Sequence, residues 1–189
     1  MQKFLLTLRA LVFYIGYGIP ALFIGATSLI ICRAMPRQMR HNYVNLWNRW
    51  VIIWLRICCG VRVNVIGREN ITHKPTVVLS KHQSQWETFY FQPLFTPIST
   101  ILKKELLNVP GFGWGLRQLD PIAIDRSNPK EALKQIQQQG EERLRDGLSV
   151  LVFPEGTRIP VGGVGKYARG GASLAINANV PVMFVAHNA

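Results

Sequence analysis

The chain has 189 residues, 48% of them hydrophobic, and a formal net charge of +12, which suits one catalytic domain with a small appendage and not a multidomain protein. Its three cysteines, Cys32, Cys58 and Cys59, have no metal-ligand spacing and form no disulfide framework, which excludes a disulfide-stapled secreted fold and fits a reducing compartment. So basic a chain invites a nucleic-acid reading, yet no recognised nucleic-acid motif is visible; an anionic lipid surface and an anionic substrate account for the charge more economically.

No charged residue occurs from Ala10 to Cys32, a stretch long enough to cross a bilayer core of ~30 Å. No small-residue cleavage signal follows a short apolar core, so the segment reads as a retained anchor. Gly16, Gly18, Pro20 and Gly25 interrupt it, leaving a kinked span and a re-entrant hairpin as alternatives. Arg33, Arg37, Arg40, Arg49 and Arg56 follow, against Lys3 and Arg9 before; by the positive-inside bias the remainder of the chain faces the cytoplasm. Tyr43 to Val61 carries Trp47, Trp50 and Trp54 at helical spacing, with Arg49 and Arg56 among them. That mixture predicts an interfacial helix at the headgroup level, with a helix packed on the catalytic domain as the alternative. Residues 1–60 are therefore expected to form the membrane-associated segment and 61–189 the catalytic domain.

Beyond residue 60, strand-like runs alternate with helical ones. Val61 to Ile66, ending at Gly67, predicts a first strand, and Thr76 to Leu79, behind Pro75, a buried second. Ile98 to Leu102, followed by Lys103 and Lys104, predicts another, and Ile122 to Ile124 a short one. Asn128, Pro129 and Glu131 supply an N-cap, a first-position proline and a capping glutamate for a helix that Gly147 closes. Its apolar stripe, Leu133, Ile136 and Leu144, is narrow, so the helix should be exposed on one side. Ser149 to Val152 predicts a strand, Gly170 to Ala178 a helix packing small residues closely, and Val180 to Ala186 a further buried strand. The alternation implies an α/β fold with a mixed or largely parallel sheet flanked by helices.

Two polar segments follow strands directly, where open α/β sheets place their chemistry. His82-Gln83-Ser84-Gln85-Trp86-Glu87 comes after the Thr76 run. A carboxylate on one imidazole nitrogen fixes the tautomer and leaves the other nitrogen to take a proton. The five-residue offset works if His82 lies in the turn and Glu87 in the first helical turn. In isolation the same residues also read as a strand cap and a solvated helix residue. Phe153-Pro154-Glu155-Gly156-Thr157-Arg158 comes after the Ser149 run; its glycine permits close backbone approach and its arginine offers a planar fork for phosphate. Arg126 follows the Ile122 run in the same manner.

The order and content of these blocks resemble the glycerolipid acyltransferase family, most closely the 1-acylglycerol-3-phosphate (lysophosphatidate) acyltransferases. That family carries a histidine-x4-aspartate block, a block ending in arginine, a Phe-Pro-Glu-Gly-Thr-Arg block and a proline-containing apolar strand, matched here by His82 to Glu87, Ile122 to Arg126, Phe153 to Arg158 and Val180 to Ala186. The resemblance implies a glycerol-3-phosphate acyltransferase-like fold. It also implies transfer of an acyl chain from acyl-CoA or acyl carrier protein to the 2-hydroxyl of 1-acylglycerol 3-phosphate, giving phosphatidic acid. In that reading His82 is the base and Glu87 its partner. Arg126, Glu155, Gly156, Thr157 and Arg158, with Lys103 or Lys104, form the phosphate-binding set, within which Glu155 orders its loop. Gly163 and Lys166 either extend the anion site or belong to a plain loop, and Ser84 stabilises the turn.

The resemblance implies no metal and no cofactor beyond the acyl-CoA or acyl carrier protein co-substrate. The partners it implies are membrane lipid and lysophosphatidate, without nucleic acid, at the cytoplasmic face of a membrane, the inner one if the source is bacterial. Glu87 departs from the family's usual aspartate and is one methylene longer. Family members also continue past the fourth block, so the catalytic domain is expected to be truncated at Ala189. Other acceptors, a different lyso-lipid or glycerol 3-phosphate, and a non-catalytic membrane lipid-binding role are the competing functions.

Overall fold

The computed structural model describes residues 2–125 and 127–188; Arg126, a predicted phosphate ligand, lies outside them. Helix α1 (Gln2–Ile31) runs unbroken through Pro20. A proline has no N–H to give to the carbonyl four residues back, here that of Gly16. The indole of Trp50 supplies the missing donor, its Nε1 lying 2.7 Å from Gly16 O. Trp47 and Trp54 donate likewise to Tyr17 O and Phe13 O, each at 3.1 Å. All three tryptophans lie on α2 (Arg37–Cys59), which returns antiparallel along α1: Tyr43 pairs with Thr27 near the turn and Arg9 with Cys58 O at the far end. The approach demands a glycine, since a Cβ on Gly16 would lie 2.4 Å from the Trp54 ring.

The tryptophan spacing, read as a helix at the headgroup level or as one packed on the catalytic domain, serves packing onto α1, and Trp47 also meets Phe89 and Phe112, with Trp47 and Val51 buried. The outer surface of the hairpin remains apolar: Leu5, Leu11, Ile15 and Ile19 of α1 and Ile53 and Ile57 of α2 are exposed. The stretch Lys3–Ala34 is long and apolar enough to cross a membrane. Its second half nevertheless packs on the rest of the molecule, where a Cβ on Gly25 would meet Gly111 O at 1.8 Å.

The remainder is a five-stranded sheet with helical crossovers. In chain order it comprises β1 (Val77–Ser80), α3 (Trp86–Leu94), β2 (Ile98–Lys103), α4 (Phe112–Arg117), β3 (Ile122–Ile124), α5 (Pro129–Arg145), β4 (Ser149–Val152), α6 (Gly170–Ala178) and β5 (Val182–Val185). The strands lie in the order β3-β2-β4-β1-β5 and every pairing is parallel, so all carboxyl ends share one edge. The central strands are β-branched and apolar because both faces are covered. Val77, Val150, Val152, Ile122 and Ile124 pack against Ala132 and Leu144 of α5 and Leu174 of α6. Val78, Ile98 and Leu151 pack against Phe91 of α3 on the other side. The predicted cap is in place, Asn128 Oδ1 accepting from Glu131 N at 3.2 Å, and Gly147 follows the helix with a φ of +88° that favours glycine. Leu133 of the predicted stripe is half exposed, and Gly140 takes the buried position against Leu174 instead.

Two strand expectations fail. Val61 to Ile66 forms no strand; Val61, Val63 and Ile66 are exposed and only a short turn at Arg68–Asn70 follows. The run pairs with neither edge strand, β3 nor β5, so its β propensity alone does not make it a strand. The last strand forms but is not buried: β5 pairs with β1 alone, and Val182 and Phe184 face outward.

The hairpin is fastened to the sheet by charge. Asp120 Oδ2, in the turn before β3, lies 3.3 Å from Arg37 Nε and 3.4 Å from both Arg40 Nη2 and His41 Nε2. Arg37 also reaches Asp146 at 2.9 Å. The main-chain oxygen of Asp120 accepts from Ser99 Oγ at 2.6 Å and Arg143 Nε at 2.9 Å, so one residue ties α2 to β2 and α5. Burial pushes its carboxyl upward, but the His41 hydrogen bond and the arginines outweigh this and hold it below its ordinary value. A carboxyl depressed on folding contributes stability above its unfolded pKa and loses that contribution as pH falls through the folded one. Asp120→Asn is expected to cost about 1–3 kcal/mol at neutral pH, the gap closing on acidification below about pH 4, as chemical unfolding followed across pH will measure.

Candidate active site

Strands β1 and β4 are neighbours, with Leu79 opposite Val152, so the segments that follow them meet above the carboxyl edge of the sheet. His82 sits in the turn after β1, and its ring stacks on Phe153, centroids 4.3 Å apart at 19°. The turn is held from several sides. Ile159 N donates to His82 O at 2.8 Å, His82 N donates to Glu155 Oε2 at 3.2 Å, Lys81 Nζ donates to Gly163 O, and His187 Nε2 lies 2.8 Å from Lys81 O.

Glu87, in the first turn of α3, is completely buried and collects four donors. Oε1 accepts from His82 Nδ1 at 2.8 Å, Gln83 N at 2.7 Å and Ser84 N at 2.8 Å; Oε2 accepts from Ser84 Oγ at 2.6 Å. Burial opposes the ionised carboxylate, but the bonds from His82 and Ser84 outweigh it and lower the Glu87 pKa from 4.5 to about 2. The longer side chain thus reaches back from the helix to the turn, and the five-residue offset is bridged. An ionised carboxylate only accepts, so Nδ1 must carry the hydrogen and Nε2 is the basic nitrogen. Nε2 has no partner among the described residues, and His82 lines the large cavity beside it. Ser84, in the turn-stabilising place expected of it, also receives Trp86 N at 3.0 Å.

That cavity has a volume of about 1020 Å³. The hairpin forms one wall through Tyr17, Ile24 and Trp47, α3 another through Phe89 and Gln92, and α5 and the start of α6 a third. Of the predicted phosphate set, Lys103, Gly156, Thr157 and Arg158 reach it. Gly156 has a φ of +68°, a left-handed turn that presents Thr157 and Arg158 to the cavity and suits glycine. Arg158 makes no ion pair or hydrogen bond among the described residues, which leaves its guanidinium available.

The other members of the set are placed differently. Glu155 belongs to the scaffold: its two oxygens accept from His82 N and Gly165 N (3.1 Å), and a carboxylate would repel a phosphate. Lys104 is committed to Asp125 and does not line the cavity, whereas Lys103 does, 3.7 Å from Glu105. Gly163 is used by Lys81, and Lys166 is exposed away from the cavity wall. Sequence reasoning missed Arg169, which precedes α6 and, like Arg158, lines the cavity; a basic residue directly before Gly170-Gly171 at a helix start was the available signal. It also missed the contribution of the hairpin to the cavity wall, which sequence spacing does not reveal.

A histidine paired with a fully buried carboxylate at the carboxyl edge of a parallel sheet, beside an apolar cavity that Lys103, Arg158 and Arg169 also line, suits an acyl-transfer type of site. The family model described as Acyltransferase matches residues 62–188, and the chain belongs to that family. It is 51% identical over 183 residues to the 1-acyl-sn-glycerol-3-phosphate acyltransferase of Pseudomonas aeruginosa, an alignment covering 96% of this chain and 71% of that one. It is 30% identical over 137 residues to the Saccharomyces cerevisiae protein of the same name, covering 72% of this chain and 45% of that one. The crystal structure of the 1-acyl-sn-glycerophosphate (LPA) acyltransferase PlsC from Thermotoga maritima superposes with a TM-score of 0.77 at 28% identity, covering 96% of this chain and 73% of that one.

The Glu87 network makes a measurable contribution to stability. One pKa unit corresponds to about 1.4 kcal/mol, so the depression of Glu87 represents about 3 kcal/mol of stability at neutral pH. Being a depressed carboxyl, Glu87 supplies this above pH 4.5 and loses it as pH falls toward 2. Glu87→Gln is therefore expected to unfold more readily than the parent at pH 7 and to approach it only as the pH falls toward 2, in paired denaturation curves; a gap independent of pH would contradict the ionised assignment.

Proposed function

We propose that the protein transfers an acyl chain from a thioester donor, acyl-CoA or acyl carrier protein, to the 2-hydroxyl of 1-acylglycerol 3-phosphate, making phosphatidic acid. The observation that carries this reading is the 2.8 Å His82–Glu87 contact opening onto an apolar cavity. The two proteins named above as 1-acyl-sn-glycerol-3-phosphate acyltransferases support the acceptor.

In this reaction His82 Nε2 takes the proton of the 2-hydroxyl as that oxygen attacks the thioester carbonyl. Glu87 stabilises the resulting imidazolium through Nδ1. The tetrahedral adduct collapses, the carbon–sulfur bond breaks, and the imidazolium returns the proton to the leaving thiolate. The step asks for no cofactor from the protein and no covalent nucleophile, Ser84 Oγ being spent on Glu87 Oε2. Arg158 holds the acceptor phosphate with its planar fork, and Lys103 adds charge at the same mouth. The apolar cavity takes acyl chain, which buries well against Phe89, Trp47 and Ile24. The exposed apolar surface of the hairpin sits in lipid, with the arginine-rich turn at 33–40 favouring the cytoplasmic side.

His82→Ala is expected to reduce acyl transfer by about 10²–10⁴-fold while lysophosphatidate binding persists. Transfer assays with both donors and a panel of lyso-acceptors measure this, and turnover at the parent rate would remove the base. Arg158→Ala is expected to raise the KM for phosphorylated acceptors well above its effect on kcat, with lysine restoring little. An equal defect toward acceptors lacking phosphate would reassign Arg158 to structure.

A further inference from the structure

A second pocket, with a volume of about 570 Å³, lies across α3 from the His82 cavity. Thr88, Phe89 and Gln92 line that cavity, whereas Tyr90, Pro93 and Leu94 line the second pocket. Steps of three and four residues within each set place the two on different faces of the helix. The reaction above uses nothing in this second space. Its wall is basic: Arg49 comes from α2, and Arg68 and His73 from the segment that leads into β1. None of the three makes an ion pair or a side-chain hydrogen bond among the described residues, and Glu69, the one carboxylate on the described wall, pairs with none of them. Tyr90 offers a hydroxyl that also lacks a partner among those residues, on a ring held by stacking against Trp86 at 4.8 Å. Two guanidinium groups with neighbouring N–H and O–H donors suit a phosphate.

The chain on either side of these cations separates a lipid from a soluble anion. Arg49 stands three residues after Leu46 and four before Ile53, so it shares a stripe of α2 with both and, one turn on, with Ile57. All three apolar side chains are exposed. Arg68 stands two residues after Ile66, which is 91% exposed and ends a run that has strand composition, forms no strand and takes no part in the His82 cavity. Ile71 and Leu94 add apolar surface inside the pocket itself. Arginines set among exposed aliphatic residues match a membrane surface, where the aliphatic groups enter the acyl region and the cations stay with the phosphates. A soluble anion would gain nothing from the exposed Ile53 and Ile66, whereas a phospholipid satisfies them and the arginines together. The choline of a zwitterionic headgroup would bring a further cation to Arg49 and Arg68, so the matching lipid is an anionic one.

We propose that this pocket binds the headgroup of an anionic glycerophospholipid of the surrounding membrane, with Arg49 and Arg68 on its phosphate and His73 and Tyr90 as further donors. The site is separate from His82 and does not depend on the acyl-transfer reading. The test titrates phosphatidylglycerol and phosphatidylcholine, each carrying the same fluorescent acyl chain, against the protein in a neutral detergent, with binding read by fluorescence polarisation. The wild type should hold phosphatidylglycerol about 10-fold more tightly or better, and Arg49→Gln and Arg68→Gln should each weaken it about 5-fold. Two further variants should leave it unchanged: Arg62→Gln, which removes the same charge from the neighbouring run outside the pocket, and Arg158→Gln in the His82 cavity. Equal affinity for the two lipids in the wild type would overturn the proposal. So would an equal loss in Arg62→Gln, which would reduce the effect to general surface charge, or a loss confined to Arg158→Gln, which would put the lipid in the His82 cavity. Displacement by inorganic phosphate as readily as by unlabelled phosphatidylglycerol would make it a free-anion site and overturn the lipid assignment. Arg49 and Arg68 are exposed, so their substitutions leave the core intact; should either variant fail to fold, the two-lipid comparison and the phosphate competition in the wild type decide alone.

Discussion

The Glu87 carboxylate is the constraint on which the site depends. It is fully buried, and burying an ionised group is tolerated only when its lone pairs are filled; here His82, the Ser84 hydroxyl and two backbone N–H groups fill them. Because two of those donors belong to the backbone of the 83–84 turn, the charge that orients the imidazole also shapes the loop that carries it. The positive end of α3 adds to the same effect, with Glu87 in its first turn. Loss of the charge would therefore release both the tautomer and the turn, which is why the pair cannot be treated as two independent residues.

A second carboxylate, Asp120, plays the corresponding part for the hairpin. The first turns of α2 are tied to the edge of the sheet by Asp120 and Asp146, while α1 is pressed onto the Gly111 turn at Gly25. Since Tyr17, Ile24, Val44 and Trp47 wall the cavity into which His82 opens, the apolar hairpin and the histidine share one apolar space.

Much of this was legible in sequence because it depends on local patterns. Short β-branched runs gave β1, β2, β3 and β4, the Asn128-Pro129-Glu131 signal gave the start of α5, and the extent of α6 was anticipated in full. The His82 and Glu87 pairing was legible because both lie within one turn and its following helix. What was not legible rests on long-range partners. Val61 to Ile66 has strand composition but no edge beside it, and Val180 to Ala186 has core composition at an edge. Lys103 and Lys104 are adjacent in sequence, yet only the fold decides that one lines the cavity and the other meets Asp125. The tryptophans of α2 read as a membrane-interface belt because nothing local reveals that Pro20 frees the carbonyl of Gly16 for Trp50.

The central claim, that an ionised Glu87 holds His82 with its hydrogen on Nδ1 and its basic nitrogen on Nε2, is tested most directly by nitrogen-15 NMR of histidine-labelled protein in lipid or detergent. For the neutral imidazole, the account predicts the tautomer protonated at Nδ1, with a downfield hydrogen-bonded proton that is absent from Glu87→Gln. A neutral His82 protonated at Nε2, or a spectrum that does not change with that substitution, would contradict it.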